Sequence, residues 1–397
     1  MPATTLHELR LASRMSRLGT ETAFEVLNRA RQLEKQGKEI IHLEIGEPDF
    51  DTPANVIEAG VDALHKGWTH YGPAAGLPDL RQTIADYVSR TRNVPVSSDE
   101  VVVVPGGKPI IFFTILALID AGDEVIYPNP GFPIYESMIN YSLGKAIPIP
   151  LREERDFSVD VKELASLITD RTKLIILNSP HNPTGGVLTR KDIFEVAEAI
   201  GDRNILILSD EIYSRLIYDG EHYSIMSVPG FKERTILLDG FSKTYAMTGW
   251  RLGYGVMRPD LAVPISRLVT NSNSCTASFT QIAGIEALRG DQSSVEEMSA
   301  EFKRRGDAFV AGLNRIKGFS CRTPKGAFYT FPNITKTGWS SRKLADALLE
   351  EAGVACLSGT AFGEYGEGYL RFSVANSLEN LNKALARIEA WVGKNLR

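Results

Sequence analysis

Cysteine is scarce in this chain: Cys275, Cys321 and Cys356 are the only three in 397 residues, and their odd number and wide spacing exclude a disulfide framework or a zinc knuckle. A reducing, cytoplasmic setting is expected. Long apolar runs are missing too. Nothing reaches membrane-spanning length, and the first twenty residues, with Arg10, Arg14 and Arg17 beside Glu8, lack the apolar stretch of a signal peptide. Positive charge is not in excess: the formal net charge is -5, so there is no basic field for nucleic acid or an anionic lipid surface. The six histidines, His65 and His70 among them, never fall at i, i+4 spacing or in a His-Glu-x-x-His pattern, and no metal site is expected. The nucleotide signatures GxxxxGK[ST] and GxGxxG are absent as well. These exclusions leave small molecules as the expected ligands of an ordinary globular protein, 43% hydrophobic and 23% charged, long enough for two domains.

What the sequence does contain is a rhythm. Short runs rich in Val, Ile and Leu at 101–104, 124–127, 173–178, 204–210, 235–239 and 252–256 read as buried strands. Helical spacing at 109–118, 134–141 and 191–200 falls between them. Alternating strand and helix predicts an α/β fold, a parallel or mostly parallel sheet with helices on both faces. After 256 the pattern changes to helices at 278–288 and 295–316, a strand at 327–331, a helix at 341–351, a strand at 369–374 and a helix from 378 to 392, a smaller α+β unit. The N-terminal segment, with its helix near 23–36, has no strand partner nearby and is expected to pack on that unit. The expected division is 1–48, 49–285 and 286–397.

In an open α/β sheet, ligands gather at the carboxyl ends of the strands. After 101–104 comes Gly106-Gly107-Lys108 and a helix, which is either a plain turn or an amide cradle for an anion. After 173–178 comes a proline-pinned polar loop in which Asn182 can hydrogen-bond a ligand oxygen, unless Asn and Pro serve only the turn. The strand at 204–210 runs into Ser209-Asp210-Glu211, an acidic pair that needs a cation if buried and can otherwise cap a helix. The next strand end carries Ser242-Lys243 before an apolar, aromatic segment. Desolvation there lowers a lysine pKa and frees an amine able to form a Schiff base with an aldehyde, and Arg251 offers a bidentate fork for phosphate. A phosphorylated aldehyde cofactor, pyridoxal 5'-phosphate, would use all four strand ends.

Jointly, IGEPDFDTP (45–53), YGPAAG (71–76), GGK (106–108), NSPHNPTG (178–185), SDEIY (209–213), FSKTYAMTGWRLGY (241–254) and YLRFS (369–373) resemble the fold-type I pyridoxal-phosphate enzymes. Among those, the chain is most similar to class I aminotransferases of the bacterial aspartate aminotransferase branch. The resemblance implies a mostly parallel seven-stranded sheet with a smaller α+β domain. By position it implies that Lys243 carries the Schiff base and moves the substrate proton, that Asp210 partners the pyridinium nitrogen, and that Tyr213 and Asn182 bond the phenolic oxygen. Gly107, Lys108, Ser242 and Arg251 would hold the phosphate, and Phe132 would stack on the ring where the aspartate enzymes use tryptophan. A homodimer is implied, with Tyr71 completing the other subunit's site. Arg371 would bind the substrate α-carboxylate, with Gly46 and Asn182 beside the substrate.

Side-chain selectivity is less legible. Lys108 keeps aspartate or glutamate, with 2-oxoglutarate as acceptor, plausible by resemblance. Phe132 lacks the indole N–H that can touch a distal carboxylate. Glu21 either faces the substrate, repelling a dicarboxylate or attracting a cationic side chain, or, the plainer reading, sits in the first turn of a helix, where an acid is favoured anyway. The implied activity is ping-pong amino-group transfer. The alternatives are a carbon–sulfur β-lyase on the same fold and, more remotely, an effector-binding regulator.

Overall fold

The computed structural model describes residues 9–395; residues 1–8 of the expected N-terminal segment and residues 396–397 lie outside it. The chain enters through α1 (Thr22–Lys35), β1 (Ile41–His42), α2 (Ala54–His65) and α3 (Pro78–Arg92). Strand and helix then alternate through β2 (Val101–Val104), α4 (Lys108–Leu118), β3 (Glu124–Asn129), α5 (Ile134–Tyr141), β4 (Lys145–Pro150), α6 (Val161–Leu167), β5 (Thr172–Asn178), α7 (Arg190–Ile200) and β6 (Leu206–Asp210). Two strands, β7 (Thr235–Gly240) and β8 (Gly253–Val256), follow without a helix between them. The remainder comprises α8 (Pro259–Asn273), α9 (Ser278–Arg289), α10 (Ser293–Leu313), β9 (Tyr329–Thr330), α11 (Ser341–Ala347), β10 (Val354–Ala355), β11 (Leu357–Ser358), β12 (Leu370–Ser373) and α12 (Leu378–Asn395).

Seven strands form one sheet in the order β2-β8-β7-β6-β5-β3-β4. All are parallel except β8, which is antiparallel to both neighbours. The reason is local. Residues 241–252 form turns instead of a crossover helix, and a parallel neighbour requires a crossover. Both faces are covered, which is why the strands read as continuous apolar runs. Val102, Val104, Leu174 and Ile176 point into a core shared with α4, α5 and α8. Val101 and Val103 face α2, α3 and α9, and Ile175, Leu177 and Ile207 face α6 and α7.

Sequence periodicity misses β4 because Pro148 and Pro150 interrupt its run. The strand lies at the sheet edge, where proline is tolerated. The strand expected at 327–331 shortens to β9, and the helix expected at 341–351 is α-helical only to Ala347, with a π turn at Leu348–Ala352. The C-terminal elements build a three-stranded antiparallel sheet, β11-β12-β9. The N-terminal segment joins them: β1 pairs in parallel with β10, Ala30 of α1 packs with Leu349 and Ala355, and Arg29 reaches Asp346 at 2.6 Å.

Beneath the strand ends lies a buried charge network. Arg92, at the end of α3, donates to Glu211 (2.8 Å) and to Asp239 (3.0 Å), and all three side chains are almost wholly buried. His222 and Ser209 also bond Glu211, at 2.7 and 2.9 Å. Removing one member strands the others, which costs far more than the intact pair contributes. Arg92→Met is expected to destabilise the protein by about 3–5 kcal/mol, seen as a lower urea unfolding midpoint. An unchanged midpoint would contradict the network's role.

Candidate active site

A cavity of about 460 Å³ opens across the carboxyl ends of β2, β5, β6 and β7, bounded on the far side by the N-terminal segment, β9 and β12. Asp210 ends β6 and is 4% exposed. The cation that the acidic pair demands is Arg92, but it serves Glu211. Among the described residues Asp210 makes no ion pair; it accepts from the Tyr135 hydroxyl (2.7 Å) and the Ile212 amide (3.3 Å). Burial pushes its pKa up to about 6, with the Asp239 and Glu211 charges adding to the rise. No helix follows β6, so the capping alternative for Ser209 and Asp210 does not apply.

Lys243 stands in the turns after β7 and points into the cavity, where Nζ donates to the Gly46 carbonyl. Burial pushes its pKa from 10.5 down to about 8; Arg371, Lys108 and Arg251 push the same way and Glu47 opposes them. Across the cavity floor, α4 begins without a side-chain cap; Pro109 has no N–H and the Ile110 amide donates to the Gly107 carbonyl at 3.0 Å, so the amides of Gly107 and Lys108 are the ones that can meet an anion. Gly106 has φ +84°, and a methyl group there would overlap the Arg251 guanidinium. Glycine therefore lets the backbone cradle and Arg251 meet. Ser242 lines the same wall, and Arg251 Nη1 donates to the Thr248 carbonyl at 2.7 Å.

Arg371 on β12 is 3% exposed. Its guanidinium lies between the rings of Tyr329 (4.6 Å) and Phe362 (5.0 Å). Nη1 donates to Asn182 Oδ1 at 3.3 Å and Nη2 to the Glu44 carbonyl, while Nε is buried with no partner among the described residues. Asn182 is fixed by its own amide, which donates to Asn178 Oδ1 at 3.1 Å. The loop is also a tight turn, closed by the Gly185 amide on the His181 carbonyl at 2.9 Å, as the backbone preferences of Asn and Pro predict. Burial pushes His181 down to about 3, leaving it neutral. The Tyr213 and Tyr329 hydroxyls share a 2.7 Å hydrogen bond.

Glu21 is the residue before α1 and makes no capping bond. The first-turn position expected of it is thus corrected: its carboxylate turns into the cavity and pairs with Lys108 Nζ. Lys108 also lies 5.5 Å from the centre of the Phe132 ring. Tyr71 does not line this cavity; it stands out from the surface, 89% exposed. Sequence reasoning missed Tyr329, whose hydroxyl sits so close to Gly46 that any side chain at 46 would collide with it. It also missed the Tyr135 bond to Asp210, although Tyr135 belongs to the same Asn129–Tyr135 stretch as Phe132, and it missed Arg92. The aromatic run at 327–331 is the only signal that points to Tyr329.

The profile of the family described as aminotransferase class I and II matches residues 38–388. An aspartate aminotransferase of Pyrococcus horikoshii is 43% identical over 92% of this chain and 93% of its own length. An aromatic-amino-acid aminotransferase of Thermococcus litoralis is 40% identical over 88% of this chain and 91% of its own. Among solved structures, the aspartate aminotransferase of Rhizobium meliloti superposes with a TM-score of 0.94 at 35% identity, covering 98% of this chain and all of that one.

The lowered pKa of Lys243 gives a measurable signature. In cofactor-free protein its amine is expected to react with an amine-directed reagent with a midpoint near pH 8, read by mass spectrometry of the labelled peptide, because the neutral form appears there and not near 10.5. A midpoint at the ordinary lysine value would refute the argument from burial.

Proposed function

The chain belongs to the class I and II aminotransferases, and from that premise we propose that the 460 Å³ cavity moves the amino group of an L-amino acid onto a 2-oxo acid in two half-reactions. Enzymes of this family depend on pyridoxal 5'-phosphate, which when bound supplies an electron sink for negative charge at the substrate α-carbon. The residues present fit that group. The observation that carries the reading is Asp210: a carboxylate buried without a cation suits a ligand that brings a protonated ring nitrogen. Lys243 offers a desolvated amine for the aldehyde. The open end of α4 at Gly107 and Lys108, together with Ser242 and Arg251, offers an anion site for the phosphate. Phe132 contributes an aromatic face, and Asn182 and Tyr213 are the donors available to a phenolic oxygen.

In this reading Arg371 takes the substrate α-carboxylate in its fork. Lys243 Nζ, with a pKa near 8, takes the α-proton and returns it, a balance suited to a group that must act as both base and acid. Residues 1–48 and 286–397 close together over 49–285 and exclude water. The resemblance implies aspartate or glutamate with 2-oxoglutarate as the pair, through Lys108 as the cation for a distal carboxylate; in this cavity Lys108 is already paired with Glu21, so that pair does not follow from the site itself. Relatives of similar identity carry both aspartate and aromatic names, so the side-chain class must be argued from this chain.

A homodimer completes the proposal. The α2 face exposes Ile57, Val61 and Leu64, continued by Trp68 and Tyr71, an apolar stripe suited to a second copy of the chain.

The purified protein is expected to show the cofactor's near-visible absorption and to convert it to the pyridoxamine form when an amino acid is added. Lys243→Ala should abolish both. Pyruvate and ammonia released without an acceptor would favour a lyase instead. Mixing Tyr71→Ala and Lys243→Ala subunits under exchange should restore about a quarter of wild-type activity, because half the dimers are hybrids with one intact site. No recovery would place Tyr71 outside the partner's site.

A further inference from the structure

Lys108 carries the one ion pair among the described residues that line the cavity. Lys108 Nζ meets the Glu21 carboxylate, and Ala23, Phe24, Ile111 and Phe132 line the same space. Phe24 is half exposed. The other cations lining the cavity are spoken for in the proposed function: Arg371 for the α-carboxylate, Lys243 for the cofactor and proton, Arg251 for phosphate. A distal carboxylate would therefore call on Lys108, and Lys108 already holds an anion. To bind there, a dicarboxylate must either displace Glu21 or share the lysine's N–H donors with it, and in both cases its carboxylate lies beside that of Glu21. An uncharged side chain leaves the pair intact and packs on the aromatic rings.

Building on that proposed function, we propose that Glu21 is a specificity-determining residue, an internal competitor for Lys108 that biases this enzyme toward amino acids with apolar or aromatic side chains and against dicarboxylates. Its effect is bounded, because the Glu21 and Lys108 side chains are 24% and 43% exposed and water screens their pairing. A change of order tenfold is expected from removing the competing charge.

The test compares two unreactive acids, maleate and 3-phenylpropionate, binding to holoenzyme by calorimetry. Glu21→Gln is expected to tighten maleate about tenfold relative to 3-phenylpropionate, with a parallel rise in the aspartate-to-phenylalanine ratio of kcat/KM. The double change Glu21→Gln with Lys108→Met should erase that gain. Glu21→Ala serves as a second variant, since Glu21 caps no helix and its loss leaves α1 without a missing bond. A maleate to 3-phenylpropionate ratio unchanged within about twofold in both variants, or equal tightening of both acids, would overturn the proposal. Failure of the aminotransferase reading would look different: no amino acid would convert the cofactor, whatever the calorimetric ratio.

Discussion

The buried carboxylate of Asp210 is the group on which the arrangement at the sheet's edge depends. Held by a hydroxyl and an amide, it remains a group that a protonated ligand nitrogen can stabilise. It can be buried there because its neighbours, Glu211 and Asp239, are served by Arg92. Were that arginine to reach Asp210 instead, the cavity would lose its demand for a cation. One buried guanidinium thus divides three carboxylates into two that hold the fold together and one that is open to a ligand.

The division of labour follows from topology. The sheet brings residues distant in sequence to one edge, since parallel strands end on the same side, and the reversal at β8 keeps Lys243 and Arg251 in a single stretch of turns between β7 and β8. The other half of the cavity comes from β9, β12 and the N-terminal segment, whose β1 is stitched to β10. Chain ends meeting in one small body are what bring Gly46 and Arg371 to the same opening.

How much of this the sequence discloses follows from the physics of each feature. The central strands are legible because burial on both faces leaves unbroken apolar runs, whereas β4 is hidden by prolines that only an edge strand permits. Lys243, Asp210, Asn182 and Arg371 stand out because each sits in a recognisable stretch, and the structure brings all four to one cavity. Arg92 is silent in sequence: its partner Glu211 lies 119 residues away, and nothing local marks an arginine at a helix end as buried. For Glu21 the sequence offers two places, a helix first turn and the site; the residue stands just before α1 with its carboxylate in the cavity, and no local pattern distinguishes the two.

One segment, residues 21–46, supplies an oxygen to three of the cavity's cations: the Glu21 carboxylate to Lys108, the Glu44 carbonyl to Arg371 and the Gly46 carbonyl to Lys243. Arg251 is engaged by the Thr248 carbonyl. Four bare cations in one cleft would act as a funnel, concentrating small anions indiscriminately. Of the four engaging oxygens only that of Glu21 carries charge; the carbonyls of Glu44, Gly46 and Thr248 satisfy N–H groups without cancelling their charge, so the cleft still draws anions and selection among them comes by exchange. An anion is retained for replacing a particular oxygen, not for its charge alone.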